Sequence, residues 1–291
     1  YNSIINLKNT NEGYSYNFSV MLEKHFNFGL DLSGSYTFGH SKSVNDGTSS
    51  VAYSNWQYNY SKDSNSKGEL GYSRFDIPHR ISLQASYTTP KYLNGWMSTT
   101  VGITYNASPG GRYSLSYDDA KDFNGDGSRG TTLLYIPTDK ELEDMNFVDN
   151  FDKQGNLIMS KEESREAFRQ WILNDDYAKN HRGQFAERNS NLTKWEHEIN
   201  LHVAQDIFYL KERGSKIQVT FDVINFANML NKKWGANYYL PYNLTPVTVS
   251  GSTNADGILV PEYTFKDQSN VLTKNDISSR WHCQVGVRLT F

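Results

Sequence analysis

Between Trp281 and Phe291 the chain alternates without a break. One row reads Trp281, Cys283, Val285, Val287, Leu289 and Phe291; the other reads His282, Gln284, Gly286, Arg288 and Thr290. Successive side chains on a strand point to opposite faces, so this segment is a ribbon with one apolar and one polar side. The pattern recurs six times. Tyr14, Tyr16, Phe18, Val20 and Leu22 form a row between Gly13 and His25, and Phe28, Leu30, Leu32, Gly34, Tyr36 and Phe38 form the next. Ile81–Tyr87, Val101–Tyr105, Ile199–Val203 and Ile217–Val223 repeat it. With a weaker segment at Tyr1–Lys8, about eight strands are expected.

A two-faced strand suits either a soluble sandwich or a transmembrane barrel. Length separates them. Several of these segments exceed the usual strand of about 5–6 residues. Their polar rows carry Ser, Thr, Asn, Gln and Gly rather than the Lys and Glu of a solvent face, which suits an aqueous lumen. The connections also segregate by length. Short turns lie near Phe26–Asn27, Pro90–Gly95 and Tyr209–Gly214, and long ones at about Ser41–Arg74, Ser108–Thr193 and Met229–Ile277; only the first connection, near Asn9–Glu12, is short on the long side. Outer-membrane barrels have short periplasmic turns and long outside loops. Trp96, Trp195, Trp234, Trp281, Tyr87, Tyr105 and Phe291 fall near strand ends, where amphipathic rings sit at a membrane boundary. Lys24 falls at a strand end, from which its amine can snorkel to headgroups. The expectation is an all-β, antiparallel transmembrane barrel in contact with outer-membrane lipid. A formal charge of −3 supplies no basic stripe for nucleic acid. The single Cys283 lies in the apolar row and reads as a small hydrophobe.

The final residues, Gln284-Val285-Gly286-Val287-Arg288-Leu289-Thr290-Phe291, are similar to the signal ending bacterial outer-membrane barrels. That resemblance gives Gln284, Gly286, Leu289 and Phe291 to recognition by the barrel-assembly machinery. Further stretches resemble TonB-dependent receptors of the Oar-like and SusC-like type from Bacteroidetes. They are Asn9–Asn17, Asn124–Gly127, Leu134–Asp139, His181–Gln184, and Phe221–Asn228 with Asn231–Gly235. The resemblance implies the C-terminal portion of a barrel of about 22 strands. On this reading residues 1–291 form one unit without the plug domain and TonB box of that family. Through the missing plug, the receptor would be energised by the TonB complex; a surface lipoprotein is a further possible partner. The implied function is uptake across the bacterial outer membrane, this chain supplying wall and outside loops. The alternative is a self-contained eight-stranded barrel acting as an adhesin or structural anchor.

Three groups of residues invite chemistry. Asp122, Asn124 and Asp126, with Gly127, follow the opening of a calcium loop, whose alternate oxygens converge on a hard cation. The twelfth position is Leu133, so the bidentate Glu is missing, and an Asn/Asp/Gly turn explains the residues equally. The polar rows place Asp31, Glu198, His202, Asp222 and Arg288 toward the lumen, with Arg80, Asp206 and His282. Glu198, His202 and Asp206 stand roughly 13 Å apart along a strand at about 3.3 Å per residue, too far for one catalytic cluster. No enzymatic role is expected. Finally, Ser160-Lys-Glu-Glu163 is a capping box. It leads into a helix over Glu162–Asp175 with Ala167, Phe168, Trp171 and Ile172 on one face, and Asp139–Met145 suggests a shorter helical turn.

Overall fold

The computed structural model describes residues 4–291 apart from 65–66, 120–121, 126, 211–214 and 242. Ten strands build the membrane wall and the sheet above it: β1 (Tyr14–His25), β2 (Leu30–Ser43), β3 (His79–Thr88), β4 (Met97–Pro109), β5 (Leu115–Asp119), β6 (Trp195–Leu210), β7 (Ser215–Ile224), β8 (Leu244–Thr253), β9 (Leu259–Phe265) and β10 (His282–Thr290). Seven of them form one antiparallel wall in the order β1-β2-β3-β4-β6-β7-β10, with the two-residue strand Gly71–Tyr72 paired to the end of β2.

Register makes the wall two-faced across its whole width. Phe18 lies opposite Phe38, Leu83 opposite Tyr105, Ile103 opposite Leu201, Val203 opposite Phe221 and Phe221 opposite Val285. Each pair sits on the same side of the sheet. The other side matches polar to polar: Ser35 with Ser82, Gln84 with Thr104, Asn106 with Glu198, His202 with Asp222 and Gln218 with Arg288. The apolar side is not a dry core. Val285, Val287 and Leu289 expose 67%, 70% and 56% of their surface, so the row faces outward. A sheet that turns Val and Leu outward and Ser, Thr and Asn inward is built for hydrocarbon outside and water inside.

Aromatic belts mark both rims of this outer face. At the long-connection end, Tyr36 Oη lies 2.7 Å from His79 Nδ1, and Tyr105 Oη lies 2.9 Å from His197 Nδ1. Trp195 stacks between the two imidazoles at 6.2 and 6.3 Å between centroids. At the short-turn end, the Phe26 and Phe28 rings lie 5.3 Å apart between centroids, and Lys24 Nζ sits 5.6 Å from the Phe26 ring. Amines over rings are what snorkelling lysines do at a headgroup boundary.

The weak strand expected at Tyr1–Lys8 is not there: residues 4–8 have no strand structure, and 1–3 lie outside the described residues. Among residues 4–8 only Ile5 and Leu7 share an apolar face, a row too short to fix a register. The wall is therefore open among the described residues, with β1 and β10 each paired on one side only. Because the strands alternate in direction and number seven, the two edges run the same way. They cannot complete an antiparallel ladder with each other.

The hydrophobic core lies elsewhere. The long connections between β4 and β6 and between β7 and β10 fold together into a cap over one end of the wall. There β8 pairs parallel with β5 and antiparallel with β9. Against that sheet pack the helices Asp139–Asp144 and Lys161–Asn174. Leu115, Leu134, Ile136, Leu142, Phe168, Ile172 and Val247 are fully excluded from solvent. Both helices begin in complete capping boxes, Thr138 with Glu141 and Ser160 with Glu163. The stripe Phe168–Ile172 faces this core, so the helix packs on the loops themselves.

Candidate ligand cavity above the polar face

Gly71 pairs with Ser43, which belongs to the inward row of β2. A Cβ added to Gly71 would sit 2.9 Å from Cβ of Arg188, so glycine is what lets Arg188 lie against the wall there. Arg188 is 5% exposed. Its Nη1 donates to Val44 O at 2.6 Å and to Asn59 Oδ1, and its Nη2 donates to Ser43 O. Nε has no partner, and no carboxylate ion-pairs with it among the described residues. Burial pulls its pKa down, while Asp46, Glu187 and Glu69 pull the other way. Held by carbonyl dipoles rather than by an anion, Arg188 keeps a positive field above the polar face.

That field reaches a cavity of about 250 Å³ whose lining includes Arg188, Arg74, Tyr58, Tyr60, Asn55 and Asn243. Arg74 is exposed, and its guanidinium makes no ion pair among the described residues. Asp46, also in the lining, is engaged by Ser43 Oγ at 2.7 Å and by Arg74 N at 3.0 Å. Burial pushes the Tyr60 hydroxyl up in pKa, opposed by its hydrogen bond with Asn243 and by Arg74, so it remains a neutral donor. The third arginine of the lining, Arg112, is neutralised. Its Nη2 and Nε reach Asp76 Oδ2 at 2.6 and 2.8 Å, with side chains only 5% and 1% exposed. Asp76 Oδ1 also accepts from Ser41 N of β2 at 2.5 Å, and Arg112 Nη1 donates to Asn189 O at 2.9 Å. This ion pair ties wall to cap. What remains in the cavity is excess positive charge among amides and phenols, which suits an acidic, hydroxyl-bearing solute.

The lumen-facing residues expected from the sequence are dispersed as neighbouring pairs. Asp31 Oδ1 lies 2.7 Å from His25 Nδ1. His202 Nδ1 lies 2.5 Å from Asp222 Oδ1 across the β6–β7 ladder. Asp206 holds Lys216 at 2.6 Å and Gln218 at 2.9 Å. Glu198 accepts from Asn200 Nδ2 at 2.7 Å. Arg288 stands opposite Gln218 on the polar side, with Gln284 and Gly286 in the same row of β10. Leu289 lies in the outward row, and the terminal Phe291 is 92% exposed.

In the candidate cation loop, Asp122 Oδ2 accepts from Gly127 N at 2.7 Å, and Asn124 Nδ2 approaches Ser61 Oγ at 3.4 Å. Asp126 lies outside the described residues. Among the described residues no group of three or more His, Cys, Asp or Glu gathers as a metal site. The Asp122 carboxylate and Gly127 N thus close a turn among the described residues. Sequence reasoning missed Arg188, Arg74 and the Asp76–Arg112 pair. Their meaning depends on residues far apart in the chain, and each alone is an ordinary charged loop position.

Comparison with curated proteins and with solved structures gives no match. The family comparison agrees with the outward apolar rows, the inward polar rows and the paired belts. Residues 1–246 match the outer membrane beta barrel domain, and the chain belongs to that family, whose place is the bacterial outer membrane.

Proposed function

We propose that this chain is the wall and outer cap of a TonB-dependent uptake receptor of the SusC-like, Oar-like kind. The observation that carries the reading is the open arc of seven strands with edges running in the same direction. Single-chain outer-membrane barrels of bacteria have an even number of antiparallel strands. An arc of this kind is completed by further strands of a larger barrel, wide enough for a plug. The cap then forms the outer mouth, and the cavity at Arg74 and Arg188 is the first contact for an acidic solute before it passes the polar face. The inner-membrane TonB complex is the energy source on this reading, and the barrel-assembly machinery reads β10.

Two measurements test it on the intact protein in cells. Cross-linking is expected to recover TonB together with this protein. On a Cys283→Ser background, Leu7→Cys combined with Val287→Cys is expected to form no intramolecular disulfide in the folded state, because closure as eight strands would need the segment before β1 to pair with β10. A disulfide joining those two positions, with no TonB recovered, would instead establish a self-contained barrel serving as adhesin or anchor.

A further inference from the structure

The outer face of the wall carries a concavity that uptake does not use. Trp195, His197 and Ile199 of β6 belong to the outward row, opposite Pro109, Ala107 and Tyr105 of β4. After β7 the chain reverses at Asn225, a residue in the left-handed region at φ 54°, and enters the short helix Phe226–Leu230. The segment after that helix returns alongside β6. Its position is built in: a Cβ on Gly235 would fall 1.9 Å from Asn225 Oδ1, so only glycine fits. Asn225 Nδ2 donates to Gly235 O at 2.8 Å and to Ser279 O at 3.1 Å.

Between β6 and this returning segment lies a groove of about 360 Å³, lined by Trp195, Ile199, Trp234 and Tyr238, with Lys194 and Lys233 also on its walls. Trp195 and Trp234 keep 41% and 55% of their surface exposed. Lys194 Nζ stands 5.5 Å from the Tyr238 ring, and neither lysine makes an ion pair among the described residues. Two features identify the occupant. The apolar lining continues the hydrocarbon-facing row, at the level of the aromatic belt nearest the cap. The cations stand at that same level, where headgroups lie, and call for an anion.

We propose that this groove holds an acyl chain of an outer-leaflet lipid with an anionic phosphate headgroup, the phosphate resting against Lys194 and Lys233. The site depends on the outer-membrane location and is independent of what the receptor imports. Membrane-surface lysines each favour an anionic lipid by about fivefold, so the pair gives a preference of roughly 25-fold over a zwitterionic one.

The intact protein, extracted from outer membranes and stripped of lipid, is reconstituted into phosphatidylcholine nanodiscs. These contain either phosphatidic acid or further phosphatidylcholine with brominated acyl chains, and bromine quenches any tryptophan it touches. The signal of Trp234 is isolated by subtracting the Trp234→Phe protein. Half-quenching is expected at a roughly 25-fold lower fraction of brominated phosphatidic acid than of brominated phosphatidylcholine. In the Lys194→Gln, Lys233→Gln protein the two curves are expected to coincide; both lysines are exposed, so the fold is spared. Coincident curves in the unsubstituted protein, or an undiminished preference in the double variant, would overturn the proposal.

Discussion

Single residues decide how the cap is held to the membrane wall. Asp76 and Arg112 are nearly buried and bonded through two nitrogens of one guanidinium, so removing either partner strands a charge in a poorly solvated place. Arg112→Met is expected to cost about 3–5 kcal/mol of cap stability, and adding Asp76→Leu should restore much of the loss, because an apolar pair replaces a buried ionic one with little penalty. Denaturant unfolding of the two variants checks this; a single-variant loss below about 1 kcal/mol would class the bridge with exposed pairs. Asp119 of β5 makes the opposite case. Burial raises its pKa above 3.8, although Gly130 N and Thr132 Oγ1 donate to it. A carboxyl with a raised folded value stabilises the fold fully below its unfolded pKa, and that contribution is lost as pH rises through the folded value. Asp119→Asn is therefore expected to flatten the pH dependence of cap unfolding above pH 3.8, measured by thermal melts across that window. An unchanged slope would show that Asp119 is solvated.

At the scale of elements, the wall strands obey one rule, and a paired substitution on β10 tests it. Val287 faces outward near mid-strand, whereas Gln284 faces inward opposite Asp222. Val287→Arg is expected to lose about 2–4 kcal/mol of folding free energy in lipid vesicles, while Gln284→Arg is expected to be close to neutral. Equal losses would mean that the two faces meet the same solvent. The regularity that makes this prediction sharp also made the wall legible. Each strand states its outward row locally, so Phe18, Leu83, Val101, Val219 and Val285 could be placed without knowing their neighbours. The helix Lys161–Asn174 was legible because Ser160 and Glu163 mark its start and Phe168 and Ile172 share a face. The cap sheet was not. β8 and β9 contain Pro246 and Pro261, which donate nothing to a ladder and argue against a strand. β8 also pairs parallel with β5, which precedes it by more than a hundred residues, so no local turn announces the contact. The ligand cavity shared that fate, since Arg74, Arg188 and Asn243 meet only once the connections have folded.

The whole molecule joins two bodies stabilised by different solvents. The wall buries little within itself: among the described residues Ala107, Ala204 and Val223 are its buried hydrophobic side chains, and its large apolar residues face the membrane. The cap is water-soluble protein in miniature, with Phe168 at its centre between Phe147 and Trp171 at 6.3 and 5.9 Å. Wall stability should therefore follow the lipid, and cap stability the packing of this core. Phe168→Ala removes a fully buried ring and is expected to cost the cap about 3–5 kcal/mol. Hydrogen exchange on the reconstituted protein separates the two bodies. Amides of Leu115–Asp119 and Leu244–Thr253 are expected to lose protection, while those of Trp195–Leu210 and Ser215–Ile224 keep theirs, since their partners are strands whose outward rows the membrane covers. If β6 and β7 opened together with the cap, the two bodies would form one cooperative unit, and the cap could not rearrange around a solute without disturbing the wall. Independent opening is the physical requirement for an outer mouth that moves on a barrel that does not.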